Sequence, residues 1–161
     1  MVQQKLLFVC LGNICRSPAA EAVMKGKLKR AGKDNQVFCD SAGTIGFHSG
    51  AKADARMRKQ AQGRGYTVTS ISRKIKADFD FDRFDMIIGM DDQNIKDLYA
   101  IARSPEDHKK IFRMTDFSSQ LSYKFIPDPY YGDIADFELV IDLLEDACEG
   151  LIKYLNSKEI N

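Results

Sequence analysis

No two cysteines in this chain stand in CxxC spacing, and no stretch is rich in histidine, so the usual zinc frameworks have no ligand set here. The four cysteines, Cys10, Cys15, Cys39 and Cys148, are too few and too scattered for the disulfide scaffold of a small secreted domain, and they fit a reducing compartment. Charge of one sign is lacking as well: 24 basic residues face 23 acidic ones, and a net charge of +1 gives no mandate for a nucleic-acid partner. No apolar run approaches the roughly 20 residues of a membrane span, and no signal peptide precedes the first apolar run. The expectation is a cytoplasmic monomer, without metal or other cofactor and without a membrane partner. What is present is 161 residues with 44% apolar content, one domain's worth over residues 1–161, enough to bury a core without staples.

The chemistry-bearing stretch lies near the start. Residues 5–10, Lys-Leu-Leu-Phe-Val-Cys, read as a short buried strand. Ser17-Pro18 reads as a helix start, with Ser17 as cap and Pro18 at the first helical position, where a missing N–H costs nothing. Between them Leu11, Gly12, Asn13, Ile14 and Cys15 form a loop whose Gly and Asn tolerate tight or left-handed backbone. Successive amide N–H groups of such a loop curl around an anion, and the positive end of the helix dipole points at the same place. Cys10 sits there, in a setting that favours the thiolate, the nucleophilic form. Arg16 brings a planar fork that holds two oxygens of a tetrahedral oxyanion, and Ser17 has a hydroxyl to offer the sulfur.

Cys10-Leu-Gly-Asn-Ile-Cys-Arg-Ser-Pro18 resembles the signature of the low-molecular-weight protein tyrosine phosphatases. The resemblance covers nearly the whole chain. It implies a phosphatase that works through a phosphocysteine on Cys10, with phosphotyrosine proteins or small aryl phosphates as substrates and the residues from Leu11 to Ser17 gripping the phosphate. A second stretch supports it. In Ile126-Pro-Asp-Pro-Tyr-Tyr-Gly132 two prolines lock the backbone around Asp128, a fixed carboxyl such as a general acid requires; taken alone it is only a turn. Asp-Pro-Tyr-Tyr resembles the family's general-acid loop.

The resemblance extends to other residues. Asp40-Ser-Ala-Gly-Thr44 implies that Ser41 helps to hold Asn13, although a plain turn explains the same letters. Phe47 stands where the family often carries Trp or Tyr, and His48 is a possible substrate contact or merely exposed. Asp54 and Arg56 match an Asp-x-Arg of the family, with helix-start electrostatics as the plainer role. Ser70 departs from the pattern, because the family often has a supporting His there. Asp91 either orients Arg16 or caps a helix. Phe47, Tyr130 and Tyr131 are the aromatic walls for a flat phenyl ring. Cys15 is either a small apolar filler or a trap for oxidised Cys10.

Three rivals remain. Arsenate reductases resemble this loop, but they relay electrons through two further cysteines, and residues 76–110 hold none. Protein-arginine phosphatases typically have Thr where this chain has Ile14. A phosphocysteine carrier or a non-catalytic phosphate sensor has no use for a proline-locked Asp128.

The remaining elements follow from periodicity. Helices are expected over 18–32, 53–65, from 91 through Tyr99, and over 137–156; strands over 36–41, 84–90 and 110–114. Residues 78–85 alternate acid with aromatic, a weak strand or loop signal, and their phenylalanines read as core contacts. The basic residues of the first helix are a solvated face or mark an anionic partner. The alternation of β with α predicts a three-layer α/β/α sandwich with a parallel sheet, and the family resemblance implies four strands in the order 2-1-3-4.

Overall fold

The computed structural model describes residues 3–159. Its centre is a parallel sheet, as the alternation of β with α predicted, with four strands in the order β2-β1-β3-β4 that the family resemblance implied. The strands are β1 (Gln4–Cys10), β2 (Val37–Gly43), β3 (Met86–Gly89) and β4 (Ile111–Arg113). Alternation along β1 makes the layers. Leu6, Phe8 and Cys10 join one buried cluster with residues of α1 (Arg16–Arg30), α2 (Ala55–Gly63) and α6 (Ile134–Glu159). Leu7 and Val9 join the other, with Phe81 of α3 (Ala77–Arg83) and Ile95 and Leu98 of α4 (Asp92–Ile101). The short helix α5 (Pro105–Lys109) precedes β4, and a 3-10 turn, Met114–Phe117, follows it.

The long helix α6 is held by its apolar face. Phe137, Val140, Ile141, Leu144, Ala147, Cys148 and Leu151 are wholly buried, and each large side chain among them contributes about 1.5–3 kcal/mol through removal from water. Arg64, just past α2, staples that helix to α6: its guanidinium meets the carboxylates of Glu138, Asp142 and Glu145, the last two at 2.7 Å.

Three local expectations are corrected. Ser17 does not cap α1: the helix opens at Arg16, Cys15 occupies the cap position without a side-chain cap bond, and Pro18 therefore sits inside the first turn. The Ser17 hydroxyl is taken by Cys10 and Asn13 instead, a use that outweighs one orphan N–H at a helix end. Residues 78–83 are neither strand nor loop, since α3 runs through Arg83, and Phe84 and Asp85 connect it to β3. Asp80, fully buried, accepts from the Lys76 N–H and from both terminal nitrogens of Arg73, which winds the first turn. Helical spacing then buries Phe81 and turns Phe79 to solvent, half exposed, so Phe79 is not the core contact expected of it. The short helix α5, with Ser104 as its cap and Pro105 at its start, was not anticipated.

Candidate active site

Parallel order brings three carboxyl ends of strands together. Cys10 lies opposite Gly43 of β2, and Val9 lies opposite Gly89 of β3, so the loop after β1 emerges at a topological switch point. Gly43 is obligatory there, because a Cβ would fall 2.7 Å from the Leu11 carbonyl oxygen. The loop is pinned from outside through its carbonyls. Those of Cys10, Leu11, Gly12 and Ile14 accept from Thr44 N, Ile45 N, Ser72 Oγ and Asp54 N at 2.8 to 3.1 Å. With the carbonyls turned outward, the amides of residues 11–16 enter no backbone bond with the surrounding body among the described residues. Alternating peptide dipoles of this kind leave N–H groups facing inward, which is the geometry of an anion cradle.

Asn13 makes the curl possible. It takes φ +57°, the left-handed conformation that asparagine tolerates, and its side chain locks the loop. Nδ2 donates to Ser17 Oγ at 2.8 Å and to Ser41 Oγ at 3.0 Å, while Oδ1 accepts from Arg73 N at 3.0 Å. The expected link from Ser41 to Asn13 is therefore present. Cys10 Sγ lies 3.0 Å from Ser17 Oγ.

Arg16 is 3% exposed and needs partners to carry a charge there. Nη1 donates to Asp91 Oδ2 at 2.6 Å and to the Ile126 carbonyl at 3.1 Å, and Nη2 lies 3.8 Å from Asp128 Oδ2. Burial works against the Arg16 cation, but Cys10, Asp91 and Asp128 outweigh it and its pKa is raised. Asp91 performs both roles that the sequence left open: Oδ1 caps α4 through the Asn94 N–H, and Oδ2 holds Arg16.

These side chains surround one cleft of about 220 Å³. Its lining includes Cys10, Leu11, Gly12, Ile14, Cys15 and Arg16 from the loop, and Phe47, His48, Asp128, Tyr130 and Tyr131 from two facing loops. Ile45 lines it too and was not anticipated. Phe47 is 83% and Tyr131 97% exposed, so neither ring is core packing. Asp128 accepts from the Tyr130 N–H at 3.2 Å. The cleft thus combines a thiol, a buried guanidinium, an amide cradle and a carboxyl group.

A family model described as low molecular weight phosphotyrosine protein phosphatase matches residues 5–161. The chain belongs to that family. A low molecular weight phosphotyrosine protein phosphatase of Drosophila melanogaster is 40% identical over 153 residues, covering 93% of this chain and 96% of that one. The crystal structure of a protein tyrosine phosphatase from Entamoeba histolytica superposes with a TM-score of 0.94 at 49% identity, covering 98% of this chain and 99% of that chain. That of YfkJ from Bacillus subtilis gives 0.90 at 33% identity over 98% of both chains.

In this phosphatase the supporting shell departs from the sequence reading. The Ser70 hydroxyl is buried and has no hydrogen-bond partner among the described residues. Two residues on, Ser72 Oγ donates to the Gly12 carbonyl, and Arg73 supplies the backbone N–H to Asn13, so support comes from the same segment in a different register. Glu21 was also missed. It is buried on α1 and accepts from Ser41 Oγ at 2.7 Å, which fixes the hydroxyl that receives Asn13. An acid at the centre of an otherwise apolar and basic helix is the signal that marks it.

Proposed function

We propose that the protein is a protein-tyrosine-phosphatase that hydrolyses phosphotyrosine through a phosphocysteine on Cys10, with Arg16 as oxyanion clamp and Asp128 as general acid and base. The observation that carries this reading is the gathering of Cys10, Arg16 and Asp128 at one cleft, with Arg16 Nη2 3.8 Å from Asp128 Oδ2. The thiolate of Cys10 attacks phosphorus in line, forming an S–P bond as the P–O bond to the phenol breaks. The Asp128 carboxyl gives its proton to the departing phenolate. Arg16 and the amides of residues 11–16 hold the equatorial oxygens, where charge builds in the transition state. Water then loses a proton to Asp128 and attacks phosphorus, the S–P bond breaks, and inorganic phosphate leaves with the thiolate restored. The charge is met by fixed amides and one guanidinium, so the reading needs no metal or organic cofactor.

The lining of the cleft supports phosphotyrosine as the substrate. Phe47, Tyr130 and Tyr131 line the same cleft as Cys10 and offer faces and edges to a flat ring. Ile14 in the lining supplies apolar surface where a guanidinium substrate has no use for it. No helix among the described residues is long and apolar enough to cross a membrane. All four cysteines are free thiols, which fits a reducing compartment, and a cytoplasmic setting is part of the proposal.

The test is turnover of phosphotyrosine, phosphoserine and phosphoarginine peptides by wild type and by Cys10→Ser and Asp128→Asn. Cys10→Ser should be inactive yet still bind vanadate. Asp128→Asn should lose roughly 10²–10⁴ in kcat/KM, which reports phosphocysteine formation, on phosphotyrosine and far less on substrates with very acidic leaving groups. Near-normal turnover by Cys10→Ser would remove it as the nucleophile.

A further inference from the structure

The loop that carries Asp128 has few ways to hold on to the rest of the molecule. Pro127 and Pro129 have no N–H to donate, and the Gly132 N–H turns inward to the Pro129 carbonyl. The loop enters on Ile126, whose N–H donates to Met90 and whose carbonyl accepts from Arg16. Past that point, among the described residues, one hydrogen bond from the body reaches residues 127–132: Arg56 Nη2 donates to the Tyr130 carbonyl at 3.0 Å. The same Tyr130 presents its N–H to Asp128 Oδ1 at 3.2 Å. Fixing the carbonyl of Tyr130 therefore fixes a residue whose N–H holds the carboxyl group.

Arg56 is itself held on three sides. Nε and Nη2 meet both oxygens of Asp54 at 3.1 and 2.9 Å, and the guanidinium carbon lies 5.6 Å from the Tyr130 ring centre and 4.6 Å from that of Phe137. Hydrogen bonding from Arg56 keeps the Asp54 carboxyl below its usual range, so this partner stays ionised. Asp54 in turn donates its N–H to the Ile14 carbonyl at 2.8 Å, on the phosphate-holding loop. A short path thus runs from the cradle to the acid through Ile14, Asp54, Arg56 and Tyr130.

We propose that Arg56 is a positioning residue for the general acid: anchored by Asp54 to the phosphate-holding loop, it fixes the backbone of Tyr130 and through it the place of Asp128 relative to Cys10. This rests on the general-acid role proposed for Asp128. Lysine does not substitute, since it lacks a fork that spans both Asp54 oxygens and the Tyr130 carbonyl.

The experiment compares leaving groups. Arg56→Ala should lose roughly 10-fold in kcat/KM, which reports phosphocysteine formation alone, on phenyl phosphate and on a phosphotyrosine peptide, whose leaving groups need a proton, since small misplacement of a reacting group costs rates of this order. On 2,4-dinitrophenyl phosphate, whose leaving group needs none, the loss should stay within about 2-fold. Placed in an Asp128→Asn chain, Arg56→Ala should cost nothing further, because the group it positions is gone. Rates are taken per active site, counted by iodoacetate labelling of Cys10, and Arg56→Gln is carried through the same series in case the alanine variant melts early. Equal losses on both leaving groups, or an additive loss in the Asp128→Asn chain, would overturn the proposal. An Asp128→Asn chain without leaving-group dependence overturns the acid role itself, whereas that dependence in Asp128→Asn but not in Arg56→Ala rejects the positioning role alone.

Discussion

Cys10 Sγ and Ser17 Oγ lie 3.0 Å apart, on opposite sides of the loop that separates β1 from α1. Ser17 is wholly buried, and its oxygen also accepts from Asn13 at 2.8 Å. Its proton is left to point at the sulfur, or more weakly at the Ala42 carbonyl 3.4 Å away. A hydroxyl so held stabilises a thiolate, and in the proposed reaction it eases the departure of sulfur from phosphorus.

Ser17→Ala should therefore slow phosphocysteine hydrolysis more than its formation. A hydrogen bond to a charged group contributes about 1.5–3 kcal/mol, which corresponds to roughly 10- to 150-fold in rate. Rapid-quench kinetics should show a burst of phenol and trapped phosphocysteine. A steady rate like that of the wild type would remove Ser17 from this role.

Phe47→Ala and Tyr131→Ala should each weaken kcat/KM on phosphotyrosine peptides by stacking-sized amounts, about 0.5–1.5 kcal/mol. Both side chains are more than four-fifths exposed, so thermal melts should not move. Small anions reach only the cradle, and inorganic phosphate should inhibit the variants as it inhibits the wild type. A fall in melting temperature with unchanged kcat/KM would make these rings packing elements.

Peroxide should inactivate the protein reversibly, by converting Cys10 to a sulfenic acid that condenses with the Cys15 thiol to a disulfide and water. Both side chains line the same cleft. Burial, with Asp54, Cys10 and Asp128 adding to it, pushes the Cys15 thiol well up, and burial pushes Cys39 up to about 12. Iodoacetamide at neutral pH should therefore label Cys10 before either of these. Cys15→Ser should lose recovery by dithiothreitol after peroxide; recovery as complete as that of the wild type would reject the protective disulfide.

Stability should fall as pH drops below about 4, where carboxyls lose charges that the fold uses. Burial raises the pKa of Glu145, but Tyr66 and Arg64 outweigh it and hold it below its ordinary 4.5; Arg103 holds Asp107 below 3.8. A folded value below the unfolded one gives stability that is present above the unfolded pKa and lost as pH falls through the folded one. Urea melts at pH 3 and 6 should show a smaller difference for Arg64→Met than for wild type. An unchanged difference would show that the Arg64 cluster contributes no such linkage.

How much of this was legible in the chain depends on sequence distance. Cys10, Arg16 and Ser17 share one strand, loop and helix, so their spacing alone places them on one centre. Asp128 was marked by the two prolines that flank it. Asp91 left a choice between helix cap and partner of Arg16, and only its position across β3 showed that its two oxygens serve both. Period-two alternation misread residues 78–85, because burial of Asp80 against Arg73 and the Lys76 N–H decided for a helix.

The sequence by itself determined the local chemistry: a curled loop with a left-handed Asn13, a cysteine before it and a helix after it, since backbone sterics and amide direction act within a few residues. The tertiary structure decided what holds that loop. Glu21 behind Ser41, Ser72 rather than Ser70 beneath Gly12, and Arg56 across to Tyr130 are contacts between elements, and nothing in their neighbours' letters specifies them. They exist because parallel strands in the order 2-1-3-4 bring the ends of β1, β2 and β3 side by side, where buried polar groups such as Ser41 and the Gly12 carbonyl take partners from another stretch of chain.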